Sequence, residues 1–173
     1  MDALFHFVFQ LVGGYVLLKG LRIRVNVLIL IFLALCSLLV DVEHVLPYLA
    51  GIFPPLDLVD HIKFHTIFIV FIPLLILSVL YSMKKGTKEL YGYLLAFSVM
   101  LLGELTADMI KGMYGIPLFY PFSDTLYMIP KRWEVPFFGS EYMLAVSTYG
   151  IAMFMYFGII ALIISIKNFF IKN

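Results

Sequence analysis

Charge is scarce in this 173-residue chain. Asp, Glu, Lys and Arg make up 13% of it and hydrophobic residues 63%, with a mean hydropathy of +1.04. An ordinary soluble domain carries about 25% charged residues. So few polar groups cannot cover a water-soluble globule, and lipid must solvate much of the surface. A formal net charge of +1 gives no basis for a nucleic-acid partner. Cysteine is nearly absent: Cys36 alone, inside an apolar run, excludes an internal disulfide and reads as a small buried hydrophobe. There is no internal repeat, low-complexity tract or linker, and no length for a second domain, so one transmembrane domain over 1–173 is expected. No basic residue precedes the first apolar stretch, which is therefore expected to be kept rather than cleaved as a leader.

What the chain does have is apolar segments, at about 3–18, 25–40, 64–81, 90–110 and 142–166. A spanning helix takes roughly 17–25 apolar residues. The first two segments are slightly short, and snorkelling basic residues would extend their ends. The expected fold is an all-α integral membrane protein, a bundle of about five transmembrane helices. Lys19, Arg22 and Arg24 follow the first segment, Lys84, Lys85 and Lys88 the third, and Lys167 and Lys172 the fifth. The positive-inside rule places these on the cytoplasmic face of the plasma membrane, with the N-terminus outside and the C-terminus inside. Glu89 is then the one carboxylate on that side. The other ten acids and all four histidines fall on or near the outer face. Membrane insertion does not require that segregation.

Two long connections lie on the outer side, 45–63 and 111–141. Both are broken by prolines, and the second is rich in aromatic residues, including Tyr114, Phe119, Tyr120, Phe122 and Trp133. Such stretches suit the headgroup region. They fit a binding loop or lid as well as a passive interfacial connection.

The chemistry is concentrated at the outer helix ends. His6 lies in the first turns of helix 1, Asp41, Glu43 and His44 close helix 2, His65 opens helix 3, and Glu104 and Asp108 lie near the end of helix 4. Glu104 and Asp108 are four apart and share a helix face. Two carboxylates side by side near hydrocarbon repel strongly, and a cation, a shared proton or a basic partner would relieve them. With the histidines they form a mixed nitrogen and oxygen set that suits Zn²⁺ first, or Mn²⁺ or Fe²⁺. The number of candidates suits one or two ions; two would share a carboxylate, polarise an ester and activate water. Taken singly, His6 is an ordinary interfacial side chain, Asp41 a helix-ending acid and His65 a helix-start polar residue.

In order, the motifs are His6, then Val40-Asp41-Val42-Glu43-His44, His61-Ile62-Lys63-Phe64-His65-Thr66, Glu104-Leu105-Thr106-Ala107-Asp108, Gly115 and Pro121-Phe122. This set resembles the YdjM-like family of membrane-bound metal-dependent hydrolases, also described as LexA-regulated. Glu104 stands where that family has histidine, and Glu43 where it has aspartate. More distantly the pattern is similar to zinc-dependent phospholipase C and single-strand nucleases, which implies phosphoester chemistry by analogy.

The leading expectation is a metal-dependent hydrolase acting on a phosphoester or lipid-like substrate at the extracytoplasmic interface. His6, Asp41, His44, His65, Glu104 and Asp108 would hold the metal, and Glu43 would be a ligand or general base. Lys111, Lys131 and Arg132 would hold an anionic headgroup; membrane lipid is the expected partner. A second expectation is an ion or metal transporter, which needs polar residues down the helix interiors. Gln10, Asn26, Ser37, Ser78, Ser98, Ser147 and Thr148 are the few there are. A third is a non-catalytic membrane protein with a structural metal.

Overall fold

The computed structural model describes residues 3–41, 65–111, 115–128, 132–136 and 143–172. Among these are five α-helices, a 3-10 turn and a two-stranded hairpin. Helix α1 (Ala3–Gly20) ends where Leu21 N and Ile23 N donate back to Leu17 O and Leu18 O, each at 2.9 Å, and Arg22 adopts φ 55°. Asn26 then starts α2 (Val27–Ser37): its side-chain oxygen accepts from Leu28 N at 3.0 Å, satisfying a donor that a helix start leaves open. Helix α2 runs into the 3-10 turn Leu38–Asp41. Helix α3 (Phe68–Ser82) carries Pro73 within it, and α4 (Lys88–Lys111) opens with the Thr87 hydroxyl accepting from Leu90 N at 3.2 Å. The last helix, α5, is Thr148–Lys172.

Helix α4 packs against all four others. It runs antiparallel to α1: Tyr93 near its start donates to Arg24 O beyond the end of α1 (3.1 Å), and Glu104 near its end meets His6 at the start of α1. Phe9, Leu17, Leu18, Leu30, Ala96, Met100, Tyr156 and Ile160 form the main core among α1, α2, α4 and α5. A smaller cluster, Val40, Val70, Leu101, Leu105 and Ile116, lies towards the end of α4. Close approach depends on two glycines: a Cβ on Gly13 would collide with the Tyr156 ring and hydroxyl, and one on Gly103 would sit 3.0 Å from that hydroxyl.

Outside this core, Leu4, Leu28, Phe32, Phe71, Leu75, Phe154, Leu162 and Phe169 are among many large apolar side chains exposed on four of the helices. Exposed apolar surface on that scale belongs against lipid. Two helical stretches, Lys88–Met109 and Ala152–Phe169, are long and apolar enough to cross a membrane; Leu4–Gly20, Val27–Ser37 and Phe68–Ser82 are shorter apolar helices.

The region beyond α4 departs from an all-helical expectation. Ile116 and Tyr127 exchange two backbone hydrogen bonds of 2.8 Å, with a cis Tyr120–Pro121 bond between them. Strand β1 (Arg132–Pro136) pairs antiparallel with β2 (Met143–Ser147), from Arg132 opposite Ser147 to Pro136 opposite Met143. Residues 143–147, read from the sequence as the start of the fifth helix, are therefore strand, and the helix begins at Thr148. Their apolar run fits either structure until a partner strand is present.

Candidate metal centre

The antiparallel packing of α1 and α4 brings one polar group together at the end of the bundle where α1 begins and α4 finishes. His6 is in the second turn of α1, and Glu104 and Asp108 face it from α4. His6 Nδ1 lies 2.7 Å from Glu104 Oε1, and its Nε2 lies 3.7 Å from Asp108 Oδ1. His65 joins from the segment just before α3, with Nε2 3.1 Å from Asp108 Oδ2. Glu104 is fully buried, and His6 and His65 nearly so, at 3% and 1% exposed; the Asp108 side chain is the most open of the four at 18%.

Three of these residues, His6, Glu104 and Asp108, offer ligand atoms within 4.8 Å of one another. Imidazole nitrogen and carboxylate oxygen are a donor set for a divalent transition ion. The residues present fit such an ion. Asp108 presents one oxygen towards each histidine, so a single carboxylate can serve one ion or bridge two. The same geometry also answers the repulsion between Glu104 and Asp108, because His6 lies against both.

His65 does not open α3 as expected; the helix starts at Phe68. Two hydrogen bonds explain its placement. The neighbouring Thr66 hydroxyl donates to Leu118 O (3.1 Å) or Tyr120 O (2.9 Å), and Ile67 N donates to Leu118 O at 2.8 Å. The loop 115–128 is thereby tied to the segment that carries His65. Gly115 keeps this loop closed, since at φ +78° a Cβ would meet Tyr127 O at 2.7 Å.

Asp41 ends the 3-10 turn, Lys111 is the last residue of α4 and Arg132 the first of β1. Glu43, His44 and Lys131 lie outside the described residues. In the sequence Thr66 has a place in the motif that ends at His65-Thr66 but no role, and nothing there singles out Tyr156, a tyrosine in an apolar helix. The candidate polar path is also accounted for in part. The Ser37 hydroxyl donates to Gln10 Oε1, the Ser98 hydroxyl to Leu94 O at 3.2 Å, and Asn26 caps α2.

The family described as YdjM inner membrane protein matches residues 1–171. No curated protein and no solved structure matches.

Proposed function

The chain belongs to the YdjM inner membrane protein family, and we propose that it is a membrane-embedded metal-dependent hydrolase of phosphoester or lipid-like substrates. The observation that carries this reading is the buried group of His6, His65, Glu104 and Asp108. Burying two acids and two imidazoles at one end of an apolar bundle is costly unless they neutralise one another or hold an ion. Zn²⁺ suits the donors best, with Mn²⁺ or Fe²⁺ as alternatives and one or two ions in the site. A bound divalent ion supplies Lewis acidity, polarising an ester and making water a stronger acid. The residues supply position. Asp108 and the two histidines would hold the ion at the end of the bundle, with Asp41 and His44 as the further candidate ligands by sequence and Glu43 as the candidate general base. Lys111, Lys131 and Arg132 hold the anionic part of the substrate.

In this reading all five helices cross the membrane, the N-terminus is outside and the site faces the extracytoplasmic side. The distribution of basic residues supports that orientation. A phosphoester at headgroup depth would reach the site without leaving the interface.

Metal analysis of the purified protein tests the reading. Wild type should carry stoichiometric transition metal, and Asp108→Ala and Asp41→Ala should lose it while keeping helical circular dichroism. Metal-free wild type would defeat it. A second reading then stands, favoured by the His6 contacts to both α4 acids: a charged His6 that fastens α1 to α4 with no ion.

A further inference from the structure

We propose that Glu104 is not a metal ligand but a positioning residue, which holds the His6 ring so that Nε2 is presented to the ion. The inference rests on the metal-centre reading above and assigns this one carboxylate its role there. The distances between the atoms in contact point to the second role. Ligand atoms bound to one tetrahedral ion at about 2.1 Å each lie about 3.4 Å apart. His6 Nε2 and Asp108 Oδ1, at 3.7 Å, are near that spacing. His6 Nδ1 and Glu104 Oε1, at 2.7 Å, are too close to share an ion and have the length of a charge-assisted hydrogen bond.

Chemistry gives the direction of that bond. With Glu104 as the acceptor of this bond, the proton is on Nδ1 and Nε2 keeps the lone pair that a metal needs. Nε2 is the nitrogen on the Asp108 side. Glu104 also lies one turn deeper along α4 than Asp108 and is fully buried, whereas Asp108 is partly open. A carboxylate behind a histidine, with the ion in front, fixes the tautomer and raises the basicity of the ligand.

The test is ¹⁵N spectroscopy of histidine-labelled protein in detergent, with and without Zn²⁺, using His6→Gln to assign His6. The expected result is coordination through Nε2 with the proton on Nδ1. In Glu104→Gln, Zn²⁺ stoichiometry should be kept, affinity should fall by about 10–100-fold, and the Co²⁺-substituted spectrum should keep its shape because the ligand set is unchanged. Coordination of His6 through Nδ1, or a changed Co²⁺ spectrum in a folded Glu104→Gln, overturns the proposal and leaves the metal centre standing. If no histidine resonance of wild type responds to Zn²⁺, the metal-centre reading falls and the proposal with it. Should Glu104→Gln fail to fold, the wild-type assignment of the coordinating nitrogen decides alone.

Discussion

His65 Nε2 lies 3.1 Å from Asp108 Oδ2, joining the segment before α3 to the last turns of α4. Helices α3 and α4 follow each other in the chain through a short turn at their other ends, so this contact closes the hairpin at the open end. An ion held here would tie α3, α4 and α1 together as well as create a reactive site. Metal should therefore stabilise the fold. With free ion at 100 times its dissociation constant the gain is about 2.7 kcal/mol. A chelator should lower the melting temperature of wild type in detergent and metal should restore it, while Asp108→Asn should melt at the same temperature with and without metal. An equal response of the two proteins to chelator would place the ion elsewhere.

Thr66 offers a separate test of how His65 is held. Its hydroxyl is shared between Leu118 O and Tyr120 O. Thr66→Val keeps the shape and removes this donor, while Leu118 O keeps its bond from Ile67 N. The expected cost is about 1–2 kcal/mol of stability. Metal affinity should fall as well, because the loop 115–128 then holds the backbone beside His65 by the Ile67 N–Leu118 O bond without the Thr66 hydroxyl. Thr66→Ser should restore both. Loss of stability with metal affinity unchanged would show that the loop supports the fold and not the site.

Much of the candidate site was legible because its signals are local. Glu104 and Asp108 are an i,i+4 pair in an apolar helix, and His6 is a polar residue in the first turns of another, so antiparallel packing alone brings them together. What was hidden depends on contacts remote in sequence. His65 precedes its helix because Thr66 bonds to residues more than fifty positions away. Met143-Leu144-Ala145-Val146-Ser147 reads as a helix start by composition, and only pairing with Arg132–Pro136 makes it a strand. The close contact of Gly13 and Gly103 with Tyr156 is a matter of shape, which leaves no periodic trace. Glu104 was legible as a candidate metal ligand. Its 2.7 Å contact with His6 Nδ1 was not.

Tyr156 is nearly fully buried, and its hydroxyl has no hydrogen-bond partner among the described residues. An unmet buried hydroxyl destabilises its fold. Tyr156→Phe should accordingly raise stability by about 1 kcal/mol. Gly13→Ala pushes a methyl group into the same ring and should cost about 1–3 kcal/mol through overpacking. The cost should be smaller in the Tyr156→Phe background, since the nearest atom to the new methyl is the hydroxyl itself. Reversible unfolding of the two single variants and the double variant measures the coupling. If Tyr156→Phe is destabilising, the hydroxyl binds a water or ligand that matters to the fold.

The orientation can be read with one cysteine at a time, because Cys36 is the only native one. Lys85 lies in the exposed turn between α3 and α4, and Asp124 is exposed in the loop that follows α4. These positions bracket α4, which packs against the four other described helices and is one of two stretches among the described residues long and apolar enough to span. In a Cys36→Ala background, Lys85→Cys should react with an impermeant maleimide only in inverted membrane vesicles, and Asp124→Cys only in intact spheroplasts. That result would place the Asp108 end of α4 on the extracytoplasmic side, where a lipid phosphoester of the outer leaflet could reach it. The reverse pattern would turn the site to the cytoplasm, and its substrate would then be sought among lipids or phosphoesters of that face. Labelling of both positions from one side would show that α4 does not cross the membrane at all, despite its length, and would remove the basis for an interfacial site at its end.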